Sequence, residues 1–299
     1  MLYYRRKLLL AVLEIFGGVL SSKMLQKYLF LATRGQEVKV YDFVPFKYGC
    51  FSFQAEQDLQ TLVKLGYLIN TSVDGADGYA LQKGNSMLSE LDMFDRQKLV
   101  TMRNEFANYS QDELIRYVYL KAPFYAINSV MAETLLSQEE LQKVMAQRRH
   151  IEERRLFTIG YEGISLEAYI VQLILKDIRV LCDVRKNAYS RKFGFSKAIL
   201  QKACSGVGIK YVHIPELGIE SEKRQELNTQ ADYNALFDEY ESTSLQENWN
   251  YLNIIVDLLH QENRVALTCF EKSPLMCHRS RVAKAVLSLV KDDIPITNI

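Results

Sequence analysis

Four side chains able to do chemistry crowd into one short stretch, CFEKSPLMCHR at 269–279: the Cys269 and Cys277 thiols, the Glu271 carboxylate and the His278 imidazole, closed by Arg279. An apolar, strand-like run (265–269) leads into it. Residues Val282, Ala283, Val286, Leu289 and Val290 follow at helical spacing, so the pattern predicts a helix opening at 277–279. The first amides of a helix have no intrahelical partner and its dipole is positive there. An anion or a thiolate is favoured at such a place, and Arg279 and Arg281 add formal charge.

Cys277 is a candidate nucleophile, but cysteine phosphatases and sulfur-transfer enzymes close a glycine-rich loop between thiol and arginine. Here His278 and Arg279 follow Cys277 directly, which favours anion binding by Arg279, or a salt bridge from it to Asp183 or Glu271, over covalent chemistry. The thiols could hold a metal with His278, yet the spacing matches no zinc finger. No cofactor is predicted, and a divalent ion is the one cofactor left open.

Other useful residues fall where apolar runs end: TIGYEG (158–163), DVR (183–185) and HIPELG (213–218). Asp183 and Arg185 alternate around Val184 and point to one side, a costly burial unless they are paired. In the functional reading Asp183 activates water or accepts a ribose hydroxyl while Arg185 grips phosphate. In the bland one they pair internally, Asp183 with Arg279 or Arg185 with Glu216. His213 and Glu216 are further acid–base candidates, and Tyr161 is placed to stack on a base or close the pocket. The loop 186–197 interleaves cations and rings. Ser190, Arg191, Phe195 and Lys197 suit a phosphate with a stacked base.

These residues need a scaffold. After residue 150, β and α patterns alternate: strands at 156–160, 180–184, 210–214 and 264–270, and helices at 165–175, 196–205, within 232–261, and at the end. That alternation predicts a three-layer, parallel α/β sheet with its ligand site at the carboxyl ends of the strands. Before residue 150 helical periodicity dominates (8–16, 22–33, 52–65). A hairpin pattern follows at 66–81, giving the order of a winged helix, and then further helix to 148. The expected division is 1–83, 84–150 as a helical extension or linker, and 151–299. Lys23, Lys27, Lys39 and Lys47 could meet a nucleic-acid backbone, although Glu56 and Asp58 at the start of the third helix would oppose phosphate.

The chain has 299 residues, 48% hydrophobic and 24% charged, with a net charge of +1, so any polyanion site must be a local cluster. No apolar run approaches the roughly 20 residues that span a bilayer. Five cysteines at irregular spacing fit reduced thiols, and a cytoplasmic setting is expected.

The motifs TIGYEG, DVR, SRKFGFSK, YVHIPELG and CFEKSPLMCHR together resemble the family catalogued as domain of unknown function 488, over about 156–290. The resemblance implies a Rossmann-like α/β domain with polar residues gathered at the strand ends, in bacterial proteins often suspected to act on nucleic acids. The amino-terminal stretches LQKYLFL (25–31) and YDFVPFKYGCFS (41–52) are similar to the Panacea domain of bacterial antitoxins, with Gly49-Cys50 where that family commonly turns through a Gly-Pro-like pair. The resulting expectation is a Rossmann-like carboxyl-terminal domain joined to an α-rich, winged-helix-like module that recruits nucleic acid or a protein partner. The function expected is hydrolysis of a phosphodiester or N-glycosidic bond in nucleic acid or a nucleotide. A role in antiviral defence is implied by resemblance alone, and the rival readings are a non-enzymatic nucleotide sensor and a cysteine-dependent enzyme.

Overall fold

The structure, a computed structural model, describes residues 2–82, 84, 86–224, 227–290 and 292–299. It divides into two compact units, Met1–Arg148 and Arg149–Ile299.

The first unit runs α1 (Tyr4–Ile15), β1 (Val19–Ser21), α2 (Ser22–Thr33), β2 (Val44–Phe46), β3 (Gly49–Phe51), α3 (Phe53–Lys64), β4 (Leu68–Val73) and β5 (Ala76–Leu81). Ser21 accepts the Met24 amide to start α2, and Ser52 accepts that of Ala55 to start α3. The hairpin turns at Asp74-Gly75, both at positive φ, the conformation a tight two-residue turn requires. An unexpected strand, β1, pairs with β5, giving the antiparallel order β1-β5-β4. Helices α4 (Met93–Phe106), α5 (Gln111–Lys121), α6 (Ala132–Leu135) and α7 (Gln138–Met145) follow. Leu99, Met102, Phe106, Leu114 and Val118 share one core with Leu8, Leu9 and Tyr28. The helical extension therefore packs as part of this unit and is no linker. Asp58 is fully buried, taking Arg5 Nε at 2.5 Å and Arg6 Nε at 2.7 Å, with Tyr41 donating at 3.1 Å. Its charge is met inside the fold and does not confront phosphate.

The second unit runs β6 (Arg155–Gly160), α8 (Leu166–Leu175), β7 (Val180–Asp183), α9 (Lys197–Ser205), β8 (Lys210–His213), α10 (Gln230–Ser242), α11 (Ser244–Glu247), α12 (Leu252–Glu262), β9 (Arg264–Cys269), α13 (Arg279–Leu289) and β10 (Ile296–Asn298). The five strands form one parallel sheet in the order β10-β6-β9-β7-β8. Alternate strand residues feed opposite faces. Val180, Cys182, Val265 and Leu267 pack with α10, α12 and α13, while from the other face Thr268 takes the Tyr169 hydroxyl of α8 at 2.7 Å. The three-layer, parallel α/β sheet expected from the alternating pattern, and the Rossmann-like domain that the resemblance implies, are therefore present. The short β10 was not foreseen, because three residues after a helix carry no period to read.

Gly160 ends β6 beneath the loop that leaves β9, and a Cβ there would overlap the Glu271 carbonyl oxygen. Only glycine lets the two chain segments close. Gly160→Ala should destabilise this unit by at least the about 1–3 kcal/mol of ordinary overpacking. Urea unfolding followed through Trp249, the chain's single tryptophan, measures this directly, and an unchanged midpoint would contradict the close approach.

Candidate functional site

The end of β7 is sealed by a buried charge pair. Asp183 is wholly inaccessible, and one carboxylate oxygen takes the Arg185 amide at 3.1 Å and Arg185 Nε at 2.8 Å. The other takes Arg185 Nη2 at 2.5 Å and the Tyr211 hydroxyl at 2.6 Å. Four donors saturate a carboxylate. Arg185 is equally engaged, since Nη1 donates to the Tyr161 hydroxyl at 2.7 Å and to the Phe195 carbonyl at 2.9 Å. Burial pulls the guanidinium pKa down, but the bonds and charge of Asp183 outweigh it and hold it above the ordinary value. Burial, reinforced by the Asp183 charge, pushes the Tyr211 phenol up. The internal pair thus exists, but within one strand end and not with Arg279 or Glu216. It leaves Asp183 no lone pair for water and Arg185 little for phosphate.

Phe195 is buried, stacked on Tyr161 at 4.2 Å and edge-on to Tyr169 at 5.3 Å, so it is a wall of the fold and not a platform for a base. His213 Nε2 lies 2.9 Å from the Arg185 carbonyl, and Lys197 Nζ lies 3.4 Å from its Nδ1, so both ring nitrogens are occupied. Glu216 lines a separate cavity of about 170 Å³ with Lys223, Glu239 and Glu247.

The loop after β9 brings Cys269, Cys277 and His278 together. All three are buried, and His278 Nδ1 lies 3.7 Å from Cys269 Sγ while Nε2 lies 2.9 Å from the Val184 carbonyl. A carbonyl only accepts, so Nε2 donates to it and Nδ1 is the ring nitrogen that faces the thiols. A hydrogen bond from the Cys277 thiol and the adjacent imidazole hold the Cys269 thiol well below the ordinary range despite its burial. Burial pushes Cys277 up, and the proton stays there. The helix begins at Arg279, as expected, but Arg279 is itself buried. It clamps the Glu271 carbonyl at 2.5 Å and the Lys272 carbonyl at 3.1 Å, and its Nε has no hydrogen-bond partner among the described residues. It holds the loop and does not reach the cleft.

That cleft, of about 400 Å³, opens over the carboxyl ends of β6, β7 and β9. Of the expected residues it gathers Tyr161, Arg185, Ser190, Arg191, Cys269, Glu271 and His278, and it leaves out Asp183, Phe195, Lys197, His213, Glu216, Cys277 and Arg279. Arg191 is exposed at its rim, and Ser190 accepts the Lys192 amide at 3.2 Å. Glu271 is the only carboxylate among the described lining residues and is paired with Arg224. Sequence reasoning missed Arg224, and it placed Tyr189 and Lys186 in the ligand-binding loop without singling them out as lining residues. Tyr189, 71% exposed, was visible as an aromatic among cations, whereas Arg224 arrives from a polar segment without periodicity.

The first unit holds its own cavity, of about 480 Å³, lined by Lys23, Lys27, Lys47, Tyr48 and Glu56 among others. Lys27 is buried and donates to the Cys50 carbonyl at 3.2 Å, so it cannot meet a nucleic-acid backbone, whereas Lys39 and Lys47 are exposed.

Residues 165–286 match the family model described as "Domain of unknown function DUF488", so the second unit carries the domain its motifs resemble, while this match does not extend to the Panacea-like stretches of the first. No curated protein and no solved structure matches the chain. No helix among the described residues is long and apolar enough to cross a membrane.

Two outcomes follow from the buried charges. Asp183→Ala would strand the Arg185 cation and should cost about 3–5 kcal/mol, read as a lowered urea midpoint of Trp249 fluorescence; an unchanged midpoint would remove the pair's structural role. Desolvation depresses the Lys27 pKa below its ordinary 10.5, so the native state binds that proton less tightly than the unfolded chain. Its contribution to stability should therefore fall as pH drops through the depressed value and grow as pH climbs towards 10.5. The stability difference between wild type and Lys27→Met, followed against pH by circular dichroism, isolates this from the Cys50 thiol, which burial pushes up to about 11.

Proposed function

We propose that this chain, whose second unit carries a domain of the DUF488 family, is a hydrolase acting on a phosphodiester or N-glycosidic bond of nucleic acid or a nucleotide. The observation that carries the reading is the composition of the cleft. Arg191, Arg224 and Lys186 supply cations around a single carboxylate, Glu271, beside the exposed ring of Tyr189. Cations at a strand-end cleft bind phosphate, and an exposed ring offers a base a stacking surface. Glu271 then takes the place first expected for Asp183 or Glu216. It accepts a proton from water, the water oxygen bonds to phosphorus or to the anomeric carbon, and the proton leaves with the departing oxygen or base nitrogen.

The first unit fits recruitment. Its three helices followed by the β4–β5 hairpin, with the short β2–β3 pair between α2 and α3, support a winged-helix-like module, and its lysine-bearing cavity suits an acidic group on a protein or nucleic-acid partner. The rival reading is a sensor that binds nucleotide without turnover, favoured by one observation: Glu271 is already paired with Arg224.

Wild type, Glu271→Gln and Arg191→Ala are compared on labelled single-stranded and duplex DNA and RNA, with products resolved by mass spectrometry. Glu271→Gln should lower turnover by about 10²-fold or more with binding kept. Arg191→Ala should weaken binding and reduce the salt slope by about one. Binding by wild type without any product would establish the sensor instead, and affinity insensitive to salt would exclude a phosphate site.

A further inference from the structure

The sequence spacing of Cys269, Cys277 and His278 matches no zinc motif, and only the turn from β9 into α13 brings them together. Cys269 Sγ, Cys277 Sγ and one ring nitrogen of His278 all lie within 4.8 Å of one another. Zinc bonds of about 2.3 Å to sulfur and about 2.0–2.1 Å to nitrogen in a tetrahedron set roughly 3.6 Å between a sulfur and a nitrogen ligand. Cys269 Sγ and His278 Nδ1 stand 3.7 Å apart. One edge of the triangle already has the length of a metal's ligand face, and the other two are no longer than 4.8 Å.

The surroundings agree on three independent points. His278 is oriented by its Nε2–H on the Val184 carbonyl at 2.9 Å, the support that metal-binding imidazoles receive on the nitrogen facing away from the ion. Its ring meets the edge of Tyr240 at 5.8 Å, which closes the inner side with apolar surface. Cys269 and His278 line the cleft while Cys277 lies behind them, so a fourth position would face the cleft, where Glu271 Oε2 stands 3.5 Å from Cys269 Sγ. Two sulfurs and one imidazole are soft donors that select zinc over magnesium or calcium. Three protein ligands with a position left open are the pattern of a catalytic zinc, since a structural one is closed by four.

We propose that Cys269, Cys277 and His278 bind one zinc ion whose fourth position opens into the cleft and takes water. Binding of the ion stands on this geometry alone; use of its water rests on the hydrolase reading above. The ion would bind both sulfurs as thiolates, displacing the proton kept on Cys277, and it would lower the pKa of its water to about 7, presenting hydroxide beside the bound phosphate or sugar.

The test is metal analysis of the full-length chain purified without chelator, followed by cobalt substitution. Wild type should carry one equivalent of zinc. After exchange, its cobalt form should show thiolate-to-cobalt charge transfer and the intense visible bands of a tetrahedral site. Cys269→Ala and Cys277→Ala should weaken the metal by more than the about 10–100-fold that loss of a supporting hydrogen bond costs. Cys204→Ala, in α9 and outside the cluster, should not. Zinc retained in both cluster variants would overturn the assignment, as would wild type that takes up neither zinc nor cobalt. A non-reducing peptide map joining Cys269 to Cys277 in metal-free wild type would overturn it in favour of a redox pair. Should the variants fail to fold, the wild-type cobalt spectrum still decides. Zinc bound without hydrolysis sinks the hydrolase reading and spares the site, and hydrolysis by zinc-free protein does the reverse.

Discussion

A carboxylate and a guanidinium two residues apart, Asp183 and Arg185, leave water together at the end of the strand beside the centre of the sheet. Taking either charge inside alone would cost several kcal/mol, so the carboxylate takes four donors and the guanidinium uses four of its five N–H groups. Those bonds reach the Tyr161 hydroxyl after β6, the Phe195 carbonyl in the loop before α9 and the Tyr211 hydroxyl on β8. One pair therefore ties three segments to the strand between them. The cleft has a rigid floor because this network leaves the carboxylate no free acceptor and the guanidinium a single N–H to rearrange.

The same arrangement explains why residues of similar type perform different tasks. Arg185 and Arg279 are buried and bind the protein's own oxygens, whereas Arg191 is exposed beside the cleft. Arg279 is the more demanding of the buried pair, because its partners are backbone carbonyls and carry no formal charge. A cation answered only by dipoles stabilises nearby thiolates, and it lowers the Cys277 thiol against the larger effect of burial.

Much of the scaffold was legible. Val180, Val265 and Leu267 lie in apolar runs too short for helices, and Ser52 and Ser165 announce helix starts, so the α/β order and its match to the family follow from local chemistry. The site was legible only in part. That Asp183 and Arg185 share a side of the strand could be read from alternation; that they satisfy each other could not, because it depends on the turn after Val184. Cys269 and Cys277 have no diagnostic spacing, and their approach is a property of the loop held by Arg279. Arg224 and Tyr189 enter the cleft from loops, where sequence period carries no information about direction. The strands β1 and β10 went unread because three residues are fewer than a period needs.

The pairing of β6 with β9 places Arg155 opposite Arg264, and Gly160 at the end of that ladder lies under the Glu271 backbone. All of α8, β7, α9, β8, α10 and α12 lies between the two strands in the chain, so this ladder closes a long loop and carries a large entropic penalty. The cleft cannot exist in part. A chain emerging during synthesis presents its thiols, carboxylate and cations as separate groups until the central strand inserts and brings them to one cleft.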